Sequence, residues 1–151
     1  MRQARLLALL TVVAAAVAAL TMGACAHPPE TVTWQGRVFH EVRSLAQLPE
    51  AIQSSLGVGR PGTDGIADRG RPFNVTDVTD SRLPMRRFLT AGHESDTWIV
   101  ALERGGRSHG VDVYMYAATG PVLQQHWGLR DRPSSLTEVV QSMSGKRRPE
   151  R

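Results

Sequence analysis

Apolar and polar residues alternate along five stretches of the chain, and this period of two predicts β-strands. The predicted strands span residues 32–43, 85–92, 96–103, 108–118 and 121–128. The alternation is clearest in the fourth strand, where one face carries Val111, Val113, Met115 and Ala117 and the other carries Asp112, Tyr114 and Tyr116. Short polar or glycine-containing segments separate the last four strands, so we expect neighbouring strands to pair as antiparallel hairpins.

Two other segments have the periodicity of a helix. Apolar residues recur every fourth position in 45–56 and Gly57 follows as a suitable C-terminal cap, which predicts a short helix. Ser135 and Glu138 form a capping-box pattern ahead of an apolar stripe, which predicts a final helix from Ser135. Residues 57–84, between the first helix and the later strands, are rich in Gly and Pro and predict a long loop.

The order of these elements is strand, helix, long loop, four strands and helix, which predicts an α+β fold. We expect a single small domain over residues 32–145, with two helices on one face of an antiparallel sheet of about five strands. A chain of this size can bury enough surface to fold without disulfide bonds.

The first 24 residues have the pattern of an export signal. Arg2 and Arg5 precede an apolar run over residues 6–20, and small residues follow it. A positive end stays on the cytoplasmic side, the apolar helix enters the bilayer, and small side chains fit the cleft of a signal peptidase. Residues 1–24 are therefore expected to be a signal peptide that is removed.

The segment Met22-Gly23-Ala24-Cys25 resembles the lipobox of bacterial lipoprotein precursors, with Met22 where the family usually has Leu. Cys25 is also the only cysteine in the chain. The resemblance implies cleavage before Cys25, a thioether from its sulfur to diacylglycerol, and acylation of its amine by a fatty acid such as palmitate. Residues 25–31 would form the lipidated tether, and Ala26, where inner-membrane lipoproteins have Asp, implies the periplasmic face of the outer membrane.

Two other fates of the N-terminus remain open at this stage. Ala24-Cys25-Ala26 is an A-x-A cleavage pattern, and cutting after Ala26 would release a soluble periplasmic protein. An uncleaved apolar segment over residues 6–24 would be about 28 Å long as a helix, close to the minimum for spanning a membrane.

The formal net charge of +4 does not indicate a nucleic-acid-binding protein, because the basic excess lies at the two ends. Residues 25–145 carry 12 basic and 13 acidic side chains. A nearly neutral domain lacks the electrostatic attraction that dominates binding to nucleic acid. Residues 146–151 are expected to be a basic disordered tail.

Motifs for catalysis, metals and cofactors are weak. None of the five histidines has the spacing of a zinc site. The G-x-G-x-x-G match at residues 57–62 follows a predicted helix, whereas a dinucleotide site needs it between a strand and a helix. Strand alternation also directs His109 away from Ser108 and Asp112. We therefore expect no catalytic residue, no metal and no cofactor.

Tyr114 and Tyr116 are the main candidate binding residues. If the opposite face of their strand is the one covered by the helices, the two tyrosines form an exposed aromatic patch suited to protein contact. The sequence thus favours a non-catalytic binding or accessory module that contacts an envelope protein or cell-wall component. The alternative is a soluble periplasmic enzyme or small-ligand-binding protein, with residues 57–84 as a lid.

Overall fold

A computed structural model describes residues 28–117 and 122–145 of the chain. The predicted signal peptide, Cys25 and the basic tail 146–151 lie outside the described residues. The strands are β1 (Thr31–Trp34), β2 (Arg37–Val42), β3 (Arg86–Glu94), β4 (Thr97–Arg104), β5 (Gly110–Ala117) and β6 (Val122–Leu129). The helices are α1 (Glu50–Leu56) and α2 (Leu136–Gly145), and short 3-10 turns lie at Leu45–Gln47 and Gly62–Asp64.

All six strands form one antiparallel sheet in the order of the sequence. This arrangement confirms the predicted α+β class. The last four strands also lie within two residues of their predicted bounds. The sheet has six strands rather than about five, because the first predicted strand is two.

The segment predicted as a single strand over residues 32–43 is a hairpin. Gln35 and Gly36 form its two-residue loop with φ angles of 50° and 76°. Positive φ at both loop residues is the geometry that matches the twist of paired strands. The turn resets the alternation, so Phe39 is fully buried whereas Val38 is 44% exposed.

The predicted helix over residues 45–56 is interrupted before Pro49. Leu48 adopts an extended conformation with ψ of 150°, as expected for a residue that precedes proline. The α-helix then begins at Glu50 and ends at Gly57, whose φ of 86° is the left-handed conformation typical of a helix cap. Helix α2 begins after Ser135, as predicted, and the Glu138 backbone N–H donates to Ser135 Oγ at 3.3 Å.

The two helices cover opposite faces of the sheet, not one face. Helix α2 packs with Ile99 and Ala101 of β4, whereas α1 packs with Val100 and Leu102 of the same strand. Because successive residues of a strand point to opposite faces, the helices must lie on different sides. The prediction that both helices share a face is wrong, and every residue of β4 except Arg104 is buried.

Hydrogen bonds attach the long loop over residues 57–84 to the sheet. Ala67 pairs with β3, donating its N–H to Arg86 O at 3.0 Å and accepting from Phe88 N at 2.8 Å. Asn74 is buried and bonds the backbone of Asp80 through both its amide nitrogen and its amide oxygen. The loop is therefore a packed part of the domain.

Candidate functional site

Two buried carboxylates organise the end of the sheet at which β1 begins. The first belongs to Glu41 of β2, whose side chain is 1% exposed. It accepts from the Glu30 backbone N–H and from Thr90 Oγ1, both at 3.0 Å. It also forms ion pairs with Arg43 at 2.6 Å and with Arg69 at 3.7 Å. Glu41 thus joins the start of the domain to β3 and to the long loop.

The second carboxylate belongs to Glu103 of β4, whose side chain is 4% exposed. Arg87 of β3 lies 2.6 Å from Glu103 Oε2 and stacks over the Phe73 ring at 4.3 Å. His109 Nε2 lies 3.0 Å from Glu103 Oε1, and Arg132 Nε lies 3.2 Å from Oε2. Glu103 thus joins three segments that are distant in sequence.

The pKa values of both carboxyl groups are lowered. Burial is the largest single influence and raises each pKa, but the hydrogen bonds and nearby charges together outweigh it. For Glu41 the bonds come from Arg43, the Glu30 backbone and Thr90. For Glu103 the bonds come from Arg87 and His109, and the charges of Arg132 and Arg87 add to them. Both groups are therefore ionised at neutral pH.

A cleft of about 210 Å³ lies between the long loop and the turn that follows β6. We call it the arginine cleft, and its lining residues are Arg69, Gly70, Leu89, Arg132, Pro133 and Ser134. Among these described lining residues, Arg69 and Arg132 are the ionisable ones. Arg69 Nη2 donates to Ser134 O at 3.3 Å, so it bridges the two walls. Leu89 stands at a register shift in the pairing of β3 with β4.

Guanidinium groups held by buried carboxylates are well placed to bind an anion. The ion pairs with Glu41 and Glu103 fix the positions of Arg69 and Arg132, which lowers the entropy lost when a ligand binds. Arginine also presents several N–H donors in a planar fork that matches carboxylates and phosphates. The arginine cleft is therefore the strongest candidate site among the described residues.

The residues of the arginine cleft form no recognisable motif in the sequence. Arg69 and Arg132 lie on different loops, and no local motif links them. Alternation over residues 32–43 does not reveal that Glu41 is buried, because the hairpin at Gln35 and Gly36 resets the alternation. The available signal was Glu103, a charged residue that directly follows the apolar run of β4.

The structure places Tyr114 and Tyr116 on the sheet face opposite Val111 and Val113, as their alternation predicts. That face is covered by α1, so Tyr116 is only 4% exposed and Tyr114 is half-buried. The expectation of an exposed aromatic patch is therefore wrong for Tyr116. A role of these tyrosines in partner binding stays a prediction.

Tyr114 belongs to a polar cluster at the edge of the area that α1 covers. Its ring stacks on His126 with centroids 4.9 Å apart, and His126 Nε2 lies 3.2 Å from Asp112 Oδ1. Burial, with a smaller contribution from the Asp112 charge, raises the pKa of Tyr114 to about 12. The phenol therefore stays protonated, and it offers no general base near neutral pH.

The residues Ser108, His109 and Asp112 do not come together. His109 contacts Glu103, whereas Asp112 contacts His126 and lies 3.6 Å from Arg104 Nε. Residues 28–117 and 122–145 also contain no group of three or more His, Cys, Asp or Glu side chains that could hold a metal ion. No helix in these ranges has the length and apolar character needed to cross a membrane.

Comparison with known protein families, with curated proteins and with solved structures finds no match to this chain.

Proposed function

We propose that this protein is a small cell-envelope lipoprotein, anchored through Cys25 at the periplasmic face of the outer membrane. Its domain acts as a non-catalytic binding or accessory module for an envelope protein or cell-wall component. The resemblance of Met22-Gly23-Ala24-Cys25 to a lipobox supports the anchor. More than one acyl chain would be needed for stable attachment, and a mature lipoprotein provides it.

The observation that carries the binding-module proposal is the short distance between Cys25 and the folded domain. Arg43 Nη2 donates to Pro28 O at 2.8 Å, so the chain is bonded to the domain only three residues after Cys25. Glu30 is bonded more firmly, because its carbonyl accepts from Glu41 N at 2.9 Å and its carboxylate from Thr137 Oγ1 at 3.0 Å. Three extended residues reach only about 10 Å. A lipid on Cys25 would therefore hold the domain against the membrane surface.

The soluble alternative has less support. In that alternative, residues 57–84 form a mobile lid over a ligand site. Backbone hydrogen bonds of Ala67 instead attach this loop to β3, and Asn74 bonds other residues within the loop. A module that works close to the bilayer fits a fixed loop and a short tether better than a mobile lid.

Metabolic labelling with a palmitate analogue tests the anchor. The wild-type chain should carry the label and fractionate with membranes, whereas Cys25→Ser should lose both properties. Met22→Leu restores the usual lipobox residue and serves as the matched control, with label retained. Label on the Cys25→Ser variant, or a native mass that corresponds to a chain starting at His27, would contradict the proposal.

A further inference from the structure

Glu41 and Glu103 each bind two arginines. One arginine of each pair lines the arginine cleft. Glu41 binds Arg43 at 2.6 Å and the cleft residue Arg69 at 3.7 Å. Glu103 binds Arg87 at 2.6 Å and the cleft residue Arg132 at 3.2 Å. In both cases the inner arginine can neutralise the carboxylate, so the charge of the cleft arginine is left available for a ligand.

The exposed fractions of the four arginine side chains agree with these two roles, one arginine that neutralises the carboxylate and one that faces a ligand. The side chains of Arg43 and Arg87 are 26% and 16% exposed, whereas those of Arg69 and Arg132 are 39% and 55% exposed. Arg132 contacts Glu103 through Nε, and a guanidinium bonded at Nε still has its two terminal nitrogens as donors. The cleft arginines are thus both held in place and accessible.

The size of the arginine cleft limits what it can bind. Its volume of about 210 Å³ is below the range of roughly 300–1,000 Å³ that is typical of sites for drug-sized ligands. A compact anionic group fits this space, with guanidinium N–H donors available from Arg69 and from Arg132. Among compact anions, a phosphate suits a site with two arginines, because it has more acceptor oxygens than a carboxylate.

The cleft lies directly beside the point where the chain enters the domain. Glu41 accepts from the Glu30 backbone through Oε2 and faces Arg69 through Oε1. Glu30 is five residues after Cys25, so a lipid anchor would hold the cleft near the headgroups of the bilayer.

We propose that the arginine cleft binds a phosphate group, supplied either by a phospholipid headgroup of the anchoring membrane or by free phosphate. The lipid source rests on the proposed anchoring through Cys25, whereas the phosphate site itself does not. Binding would orient the domain with the start of β1 towards the membrane.

Titration calorimetry of the protein as purified from cells, in neutral detergent, tests the site with two probes, inorganic phosphate and dihexanoyl phosphatidylglycerol. Both should bind to the wild-type protein. Arg69→Gln and Arg132→Gln should each weaken binding by about tenfold or more, because each removes a charge-assisted hydrogen-bonding group. Arg107→Gln is the matched control, since Arg107 is 89% exposed, does not line the cleft, and loses the same charge.

The Arg132→Lys variant distinguishes weaker binding from loss of the fold. It keeps the charge beside Glu103 but removes the fork, so the protein should melt close to the wild-type temperature and still bind phosphate more weakly. Tighter binding of the lipid than of phosphate identifies the headgroup as the source, and the reverse order identifies free phosphate. Absence of saturable binding to both probes, or equal weakening by Arg107→Gln, would overturn the site. Because this measurement does not use the palmitate label, the site can fail while the anchor stands, and the reverse.

Discussion

At Gly92 of β3, the absence of a side chain allows helix α2 to approach the sheet. A Cβ atom at this position would lie 2.8 Å from Leu136 Cδ2 and 3.3 Å from Phe39 Cβ. Leu136 and Phe39 are both fully buried, so neither can move into solvent. A side chain at Gly92 would therefore require α2 and β3 to move apart or Leu136 to repack.

Gly92→Ala should lower the free energy of unfolding by about 1–3 kcal/mol, the usual cost of overpacking a core. Chemical denaturation followed by tryptophan fluorescence measures it. Gly145→Ala is the matched control at the end of α2, where an added Cβ meets no atom within 4 Å, and should change stability by less than about 0.5 kcal/mol. In a Leu136→Ala background the Gly92→Ala change should cost less. Strict additivity of the two substitutions would contradict the proposed contact.

The alternation of residues in β5 correctly predicted which side chains share a face, but it could not identify the element that covers each face. Tyr116 was expected to be exposed because α1 was placed on the other side. The information was present in β4, whose run of five apolar residues from Trp98 to Leu102 is typical of a strand covered on both faces. The sequence pattern thus predicts which side chains of a strand share a face, whereas the packing of the helices decides whether that face is buried.

At the scale of elements, regular structure was easier to predict than loop structure. Strands β3 to β6 and helix α2 follow local rules of alternation and capping, so their bounds could be predicted from short windows of sequence. The loop over residues 57–84 instead depends on contacts between distant residues, such as Asp68 Oδ1 with the backbone N–H of Leu45 at 3.1 Å. The arginine cleft needs this loop, so it could not be predicted without the fold.

Asn74→Ala should loosen the long loop. Asn74 is buried, and its amide nitrogen donates to Asp80 O at 2.9 Å and Leu83 O at 2.8 Å. Its loss leaves these partners unpaired and should cost about 1–3 kcal/mol. Hydrogen exchange should show faster exchange at the Asp80 amide, which donates to Asn74 Oδ1. Thr76→Ala, an exposed substitution in the same loop, should leave exchange unchanged, and equal effects of the two variants would exclude a specific role for Asn74.

At the scale of the whole molecule, Glu41 and Glu103 connect the sheet to segments that lie outside it. Glu41 connects the N-terminal segment, β3 and the long loop, whereas Glu103 connects β3, the β4–β5 connection and the turn after β6. Burial of a carboxylate is unfavourable unless it is paired, and here each carboxylate has several donors. The packing of these segments against the sheet therefore depends on ionised carboxylates at Glu41 and Glu103.

The stability of the domain should consequently fall in acid. The pKa of Glu103 is below its ordinary value of 4.5 in the folded state, so the unfolded chain takes up a proton first as the pH falls. The stabilisation is complete well above pH 4.5 and is lost as the pH falls through the lower folded-state pKa.

Urea denaturation between pH 3 and pH 7 measures this dependence through the Glu103→Gln variant. The variant should be less stable than wild type by about 1–3 kcal/mol near pH 7, because the amide cannot balance the charges of Arg87 and Arg132. The difference should shrink as the pH falls towards the lowered folded-state pKa of Glu103, because protonation makes the wild-type carboxyl neutral as well. Glu50→Gln is the control, an exposed substitution at the start of α1. Its free energy of unfolding should change with pH in the same way as that of the wild-type protein. A Glu103→Gln curve that also runs parallel to wild type across the range would show that the ion pairs of Glu103 do not stabilise the fold, and the positions of the cleft arginines would then need another cause.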